Sequence, residues 1–176
     1  MKTIHKPHEG DYVPYTIVYL DLLPDDGLVL QHMLDILPTL KELILPLSEE
    51  QMTRRWAPGE WTIKEILVHM SDDERILVNR TLRVARNDST LIQGFEQVDY
   101  VEYSGANART IEDIVEELIS VRMATLTLLN SLDEEALERA STMQNHRVTV
   151  RAFVYHIAGH FLLHLNSIKE LRDRTY

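Results

Sequence analysis

Apolar residues recur every three or four positions through four long stretches of this chain, and that spacing restricts what it can become. Residues so spaced share one face of an α-helix, so each stretch predicts an amphipathic helix that must bury its stripe against another. The first runs from Leu28 to Leu45, with Leu30, Met33, Leu34, Leu37, Leu40, Leu43 and Ile44 on the stripe and Pro38 as a candidate kink. The second opens at Thr62, an N-cap whose capping-box partner is Glu65, and runs to about Asn87. Thr110-Ile-Glu-Asp opens the third, which continues to about Leu129, and the fourth extends from near Thr149 to around Arg172. Residues 48–52 and 133–137 read as short helical turns, residues 1–24 as an extended arm, and no strand pattern competes. The expected architecture is all-α, a four-helix bundle, in a single domain over residues 1–176.

Between the second and third helices lie about 22 residues, Asp88 to Arg109, with no convincing helix. That is long for a hairpin connection, and long enough for the chain to run back along a helix of ~25 residues, ~37 Å. A crossover of this kind lets the second and third helices run parallel. Phe95, Tyr100 and Tyr103 in this stretch could cover a pocket, but the favoured reading is that they pin the loop to the bundle.

Composition narrows the function. A net charge of −10 without basic clusters argues against nucleic-acid binding, since phosphate is repelled by an acidic surface. No segment approaches the ~20 apolar residues of a membrane span, and the N-terminus lacks the apolar core of a secretory signal, so a cytoplasmic location is expected. The chain has no cysteine, which excludes disulfides, thiolate nucleophiles and cysteine-held zinc. Any metal must be held by nitrogen and oxygen.

Such a site is suggested by His156, His160 and His164, spaced four apart on the fourth helix and therefore stacked along it. Counting about 100° per residue places His164 within the apolar stripe, His160 at its margin and His156 further out, at the solvent edge or supporting a ligand from behind. Two imidazoles on an apolar stripe need partners, because each unpaired polar group costs on the order of 1–3 kcal/mol when desolvated. A shared metal ion supplies one answer; hydrogen bonds to polar neighbours supply the other. On the second helix His69 lies at the edge of the stripe Ile63, Ile66, Met70, Leu77, and Glu74 faces that stripe. Glu74 either pairs with Arg75, Arg80 or Arg122, or works at the site in proton transfer or ligand orientation. Asp72 and Asp73 read as solvated; His5, His8, His32 and His146 read as background.

The run Gly59-Glu-Trp-Thr-Ile-Lys-Glu-Ile-Leu-Val-His69-Met-Ser-Asp-Asp-Glu-Arg75 resembles the DinB-like superfamily, which includes YfiT-type proteins. Arg80-Thr-Leu-Arg-Val-Ala-Arg-Asn-Asp88, Gly94-Phe-Glu-Gln-Val-Asp-Tyr100 and Ala158-Gly-His160-Phe-Leu-Leu-His164-Leu-Asn agree with it. The resemblance implies an up-down-down-up bundle with a divalent-metal site, zinc or nickel, held by His69, His160 and His164. Relatives often carry a histidine just before the last ligand, where this chain has Leu163. The implied activity is that of a metal-dependent hydrolase or thiol S-transferase acting on a small molecule, with water or a low-molecular-weight thiol as nucleophile; a homodimer is also suggested. The competing expectation is a non-catalytic metal-binding stress or interaction protein.

Overall fold

The computed structural model describes residues 1–174. A 3-10 turn at Pro14–Thr16 leads into α1 (Ile17–Leu20), then α2 (Val29–Ile44), α3 (Glu49–Thr53) and α4 (Ile63–Ala85). After α5 (Gln97–Tyr103) and a second 3-10 turn come α6 (Ile111–Ser131) and α7 (Glu134–Glu138). Strands β1 (Ala140–Met143) and β2 (His146–Thr149) precede the last helix, α8 (Val150–Asp173).

The four long helices α2, α4, α6 and α8 build the bundle, and the last three start where a threonine side chain satisfies a free N–H group. Thr62 accepts from the Glu65 amide while Glu65 reaches back to the Thr62 amide, the expected capping box. Thr110 and Thr149 cap α6 and α8 through their side chains, contacts worth about 1 kcal/mol each. Pro38 lies within α2 on its exposed side, where water can serve the carbonyl that loses its partner. Apolar side chains fill the middle in two packed groups, one around Leu30, Leu77, Phe153 and Ile157, the other around Leu40, Leu67, Leu118 and Ile168.

Polar contacts set the helix directions. At the start of α4, Thr62 and Lys64 bond to Asn107 and Arg109 just ahead of α6. Midway, Glu74 meets Arg122, and at the end Ala85 accepts from Arg139 beyond α6. Those two helices therefore run side by side in the same direction. Against α4, α8 runs the opposite way: His69 faces His164, while Asp73, one turn on, faces His160, one turn back.

Three sequence expectations need correction. Residues 1–24 are not extended throughout, since they carry a 3-10 turn and α1, and they pack on the bundle. Ile4, Val13, Leu20 and Leu23 are buried, the Ile4 amide bonds to the Gly27 carbonyl, and the buried Tyr155 hydroxyl donates to the Ile4 carbonyl. The connection over 88–109 carries α5, and its aromatics do not act as one group. Phe95 and Tyr100 meet edge-on at 5.1 Å, whereas Tyr103 is 84% exposed. Last, a β-hairpin pairs Ala140 through Met143 with Thr149 through His146. Its turn residues Gln144 and Asn145 both have positive φ, the twist that two-residue hairpins require.

Candidate metal centre

Helix α4 contributes His69 and helix α8 contributes His160 and His164, and the packing of these two helices brings three imidazoles edge to edge. Nε2 of His160 lies 3.2 Å from Nε2 of His69 and 3.0 Å from Nε2 of His164. One ring nitrogen from each of the three falls within 4.8 Å of the others. His69 and His160 are buried, and His164 is partly so.

Burial holds all three rings in the neutral form. The pKa of His69 falls to about 4 through desolvation, reinforced by His164, and that of His164 falls to about 4 through desolvation. His160 lies well below the ordinary value, again mainly by burial, with its histidine neighbours adding to it. Neutral imidazole is the form that ligates metal.

The donor set fits a divalent cation. Nitrogens ~2.0–2.1 Å from one ion at tetrahedral to near-square angles stand roughly 3.0–3.4 Å apart, the spacing of the closest contacts. Three facing nitrogens cannot all be satisfied by hydrogen bonds among themselves, since a neutral ring has one N–H and one lone pair. Two more polar atoms are orphaned around the cluster: Nδ1 of His69 and Oδ2 of Asp73 are buried without hydrogen-bond partners. Oδ2 of Asp73 sits 3.3 Å from Nδ1 of His160 but outside hydrogen-bonding geometry, so a small ring rotation would join them. A carboxylate behind the outer nitrogen of a ligand imidazole fixes its tautomer and aim.

Sequence phase misassigned this carboxylate. Asp73 is 7% exposed, and desolvation raises its pKa to about 7, opposed by Arg80 and assisted by Glu74. The amphipathic-stripe picture fails on α4 because α3, α5, α6 and α8 all pack on it, leaving little of it to solvent. Glu74 takes the structural one of its two expected roles and is corrected accordingly. Both of its oxygens accept from Arg122 Nε (3.0 and 3.1 Å), and Oε2 also accepts from Nη2 at 2.8 Å. Arg122 spends Nη1 on the Met33 carbonyl and lies over the Phe161 ring. That carboxylate is committed to Arg122 rather than to the histidines.

His156 stays outside the cluster but is more enclosed than expected: its ring stacks on Tyr19 at 4.6 Å, and burial, then Arg80, lowers its pKa to about 4. Tyr19 also meets His160 edge-on at 5.6 Å, and Trp61 covers His69 at 4.8 Å. The wall containing Tyr19 exists because residue 159 is glycine. A Cβ there would stand 2.2 Å from the Tyr19 carbonyl oxygen, so only glycine lets α1 lie against α8. A cavity of ≈ 370 Å³ opens from His160 and Asp73 toward Tyr15, Tyr19, Arg80 and Phe95. A second, of ≈ 320 Å³, reaches His164 from the Trp61 side.

Residues 37–168 match the family model of the DinB superfamily. The chain belongs to that superfamily. Two relatives bear the name "putative metal-dependent hydrolase". One, from Oceanobacillus iheyensis, is 24% identical over 131 residues, covering 74% of this chain and 75% of its own length. The other, from Geobacillus thermodenitrificans, is 23% identical over 137 residues, 77% of each chain. Among solved structures the fold is similar to YfiT from Bacillus subtilis, described as "a probable metal-dependent hydrolase with an unusual four-helix bundle topology". That superposition has a TM-score of 0.76 at 16% identity and covers 97% of this chain and 93% of the other. The DinB-like protein YjoA, also from Bacillus subtilis, gives 0.59 at 18% identity, over 84% of this chain and 92% of that one. The four-helix bundle is therefore shared with DinB-type proteins. Among the described residues no helix is long and apolar enough to cross a membrane.

Proposed function

We propose that this protein is a divalent-metal-dependent enzyme acting on a small molecule, with His69, His160 and His164 as the metal ligands. The observation that carries this reading is the convergence of three neutral imidazole nitrogens from two helices at 3.0–3.2 Å contacts. A divalent cation in that place, zinc or nickel, supplies Lewis acidity, which lets water or a thiol act as a nucleophile near neutral pH.

The chain's own residues supply the rest. The rings of His69, His160 and His164 stand 4.4–5.0 Å apart in a triangle, Trp61 shields the first, and Tyr19 closes the other flank of the cluster. Asp73 stands behind His160, 3.3 Å from its Nδ1, and lines the cavity, where it is the carboxylate placed to accept a proton. Hydrolysis agrees with the names of the relatives. Thiol transfer would use the same site, with the thiol arriving as cosubstrate because the chain has no cysteine.

Elemental analysis of the purified protein, together with turnover on a panel of esters, amides and thiol–electrophile pairs, tests the reading. We expect about one divalent ion per chain, lost in His160→Ala, and turnover that disappears with the ion. Fully loaded protein that turns over no panel member would leave a metal-binding protein without this chemistry. Protein that takes up no divalent ion would end the reading altogether.

A further inference from the structure

Arg80 stands at the boundary of two cavities. One is the ≈ 370 Å³ space beside His160 and Asp73; the other, of ≈ 380 Å³, lies between α4 and the segment around Gln93 and Phe95. The residue is only 8% exposed. A guanidinium carries five N–H donors, yet among the described residues Arg80 makes one hydrogen bond, from Nη2 to the Gln93 carbonyl at 2.8 Å. The Phe95 ring lies 5.6 Å from the guanidinium carbon.

Its neighbours are treated differently. Arg75 is paired with Asp72 and Glu117, and Arg83 with Asp88. Among the described residues no carboxylate comes within ion-pair distance of Arg80. Asp73 lines the same cavity and favours the Arg80 charge without touching it. A buried cation without an ionic partner is costly, and a chain of net charge −10 does not lack carboxylates to place there.

We propose that Arg80 anchors a carboxylate of the substrate, bound in the cavity beside the three-histidine cluster. A guanidinium fork matches a planar carboxylate in bidentate fashion. One unpaired positive charge, with Asp73 across the cavity, suits a monoanion better than a phosphate dianion. Tyr15, Tyr19, Leu77 and Phe95 line the cavity beside the polar Gln97, Gln144 and His156, so the body of the ligand is amphipathic, an aryl or alkyl chain with room for a polar group. Asp73 and Arg80 are seven residues apart on α4, a rise of roughly 10 Å. Arginine side chains lean back toward the helix start, which shortens that span to a few carbon–carbon bonds between anchor and reacting group. The reacting group depends on the metal-dependent reading; the anchor does not.

The test is therefore a binding measurement on protein stripped of metal by a chelator. Aryl and alkyl carboxylates of two to ten carbons, each beside its neutral amide, are titrated by ligand-observed NMR. We expect at least one carboxylate to bind in the millimolar range or tighter, at least tenfold better than its amide. That preference should vanish in Arg80→Gln and be partly retained in Arg80→Lys, which keeps the charge without the fork. Because Arg80→Gln also loses the Gln93 contact, both variants are checked by thermal unfolding, and Arg80→Lys carries the comparison if the former does not fold. No carboxylate binding better than its amide, or a preference unchanged in the variants, overturns the proposal. Since no metal is present, neither outcome depends on whether the histidines bind one.

Discussion

Two polar insertions interrupt the apolar interior of this bundle, and they are built on opposite principles. Glu74 and Arg122 form a closed pair: three hydrogen bonds join them, a carbonyl takes another guanidinium donor, and an aromatic ring covers the rest. The histidine cluster is open, with three facing nitrogens, an orphaned Nδ1 on His69 and an orphaned Oδ2 on Asp73. Both insertions share α4, Asp73 and Glu74 being consecutive. A polar group that is fully satisfied within the chain has its job inside the fold. One that is left unsatisfied at a cost has its partner elsewhere.

Among single substitutions the largest effect should come from breaking the closed pair. Arg122→Met strands the Glu74 carboxylate and is expected to lower unfolding free energy by about 3–5 kcal/mol in chemical denaturation. Adding Glu74→Leu should recover most of that loss, since the cost lies in the unpaired charge. If the single variant is as stable as the parent, the pair is not what holds this level of the bundle.

Acid should separate the two regions next. The cluster histidines bind protons less readily when folded than their ordinary 6.5, with His69 and His164 at about 4. Between those values the unfolded chain takes up more protons, so metal-free protein is fully stabilised by these groups above about pH 6.5 and loses that contribution on acidification toward 4. Each ring contributes up to about 1.4 kcal/mol per pH unit in that window. The dependence of stability on pH across it should become less steep when the three histidines are replaced together, whereas the double variant Arg122→Met, Glu74→Leu should leave the slope unchanged in denaturation curves.

Gly159→Ala sharpens the comparison sterically. The new methyl group collides with the Tyr19 carbonyl, so α1 must shift, at about 1–3 kcal/mol. Loss of the Tyr19–His156 stacking should appear as a shift of the His156 ring signals in NMR. Smallest of all should be His160→Ala in metal-free protein, about 1 kcal/mol or less, because the residue removed was poorly satisfied. A loss as large as that of Arg122→Met would mean the cluster is structural after all.

The bundle was legible because four stripes of apolar residues and the threonine caps of three of them are local signals. The stacking of His160 and His164 was legible for the same reason, and Glu74 stood out as a carboxylate on an apolar face. Which of its two roles Glu74 takes depends on Arg122, 48 residues away, and no periodicity carries that information. Asp73 was misread because a helix enclosed on several sides has no solvent stripe to assign it to. The hairpin escaped because its turn is Gln144-Asn145, without the glycine that marks most such turns, and its strands are four residues each. The N-terminal residues escaped because isolated apolar positions such as Ile4 and Leu20 form no period.

The seat that Gly159 provides for α1 joins the beginning of the chain to its final helix. Tyr15 and Tyr19 are far from His160 in sequence, so the pocket has no wall until α1 docks against α8. The chamber closes through a long-range contact, and losing either α1 or α8 would dismantle it from the same side.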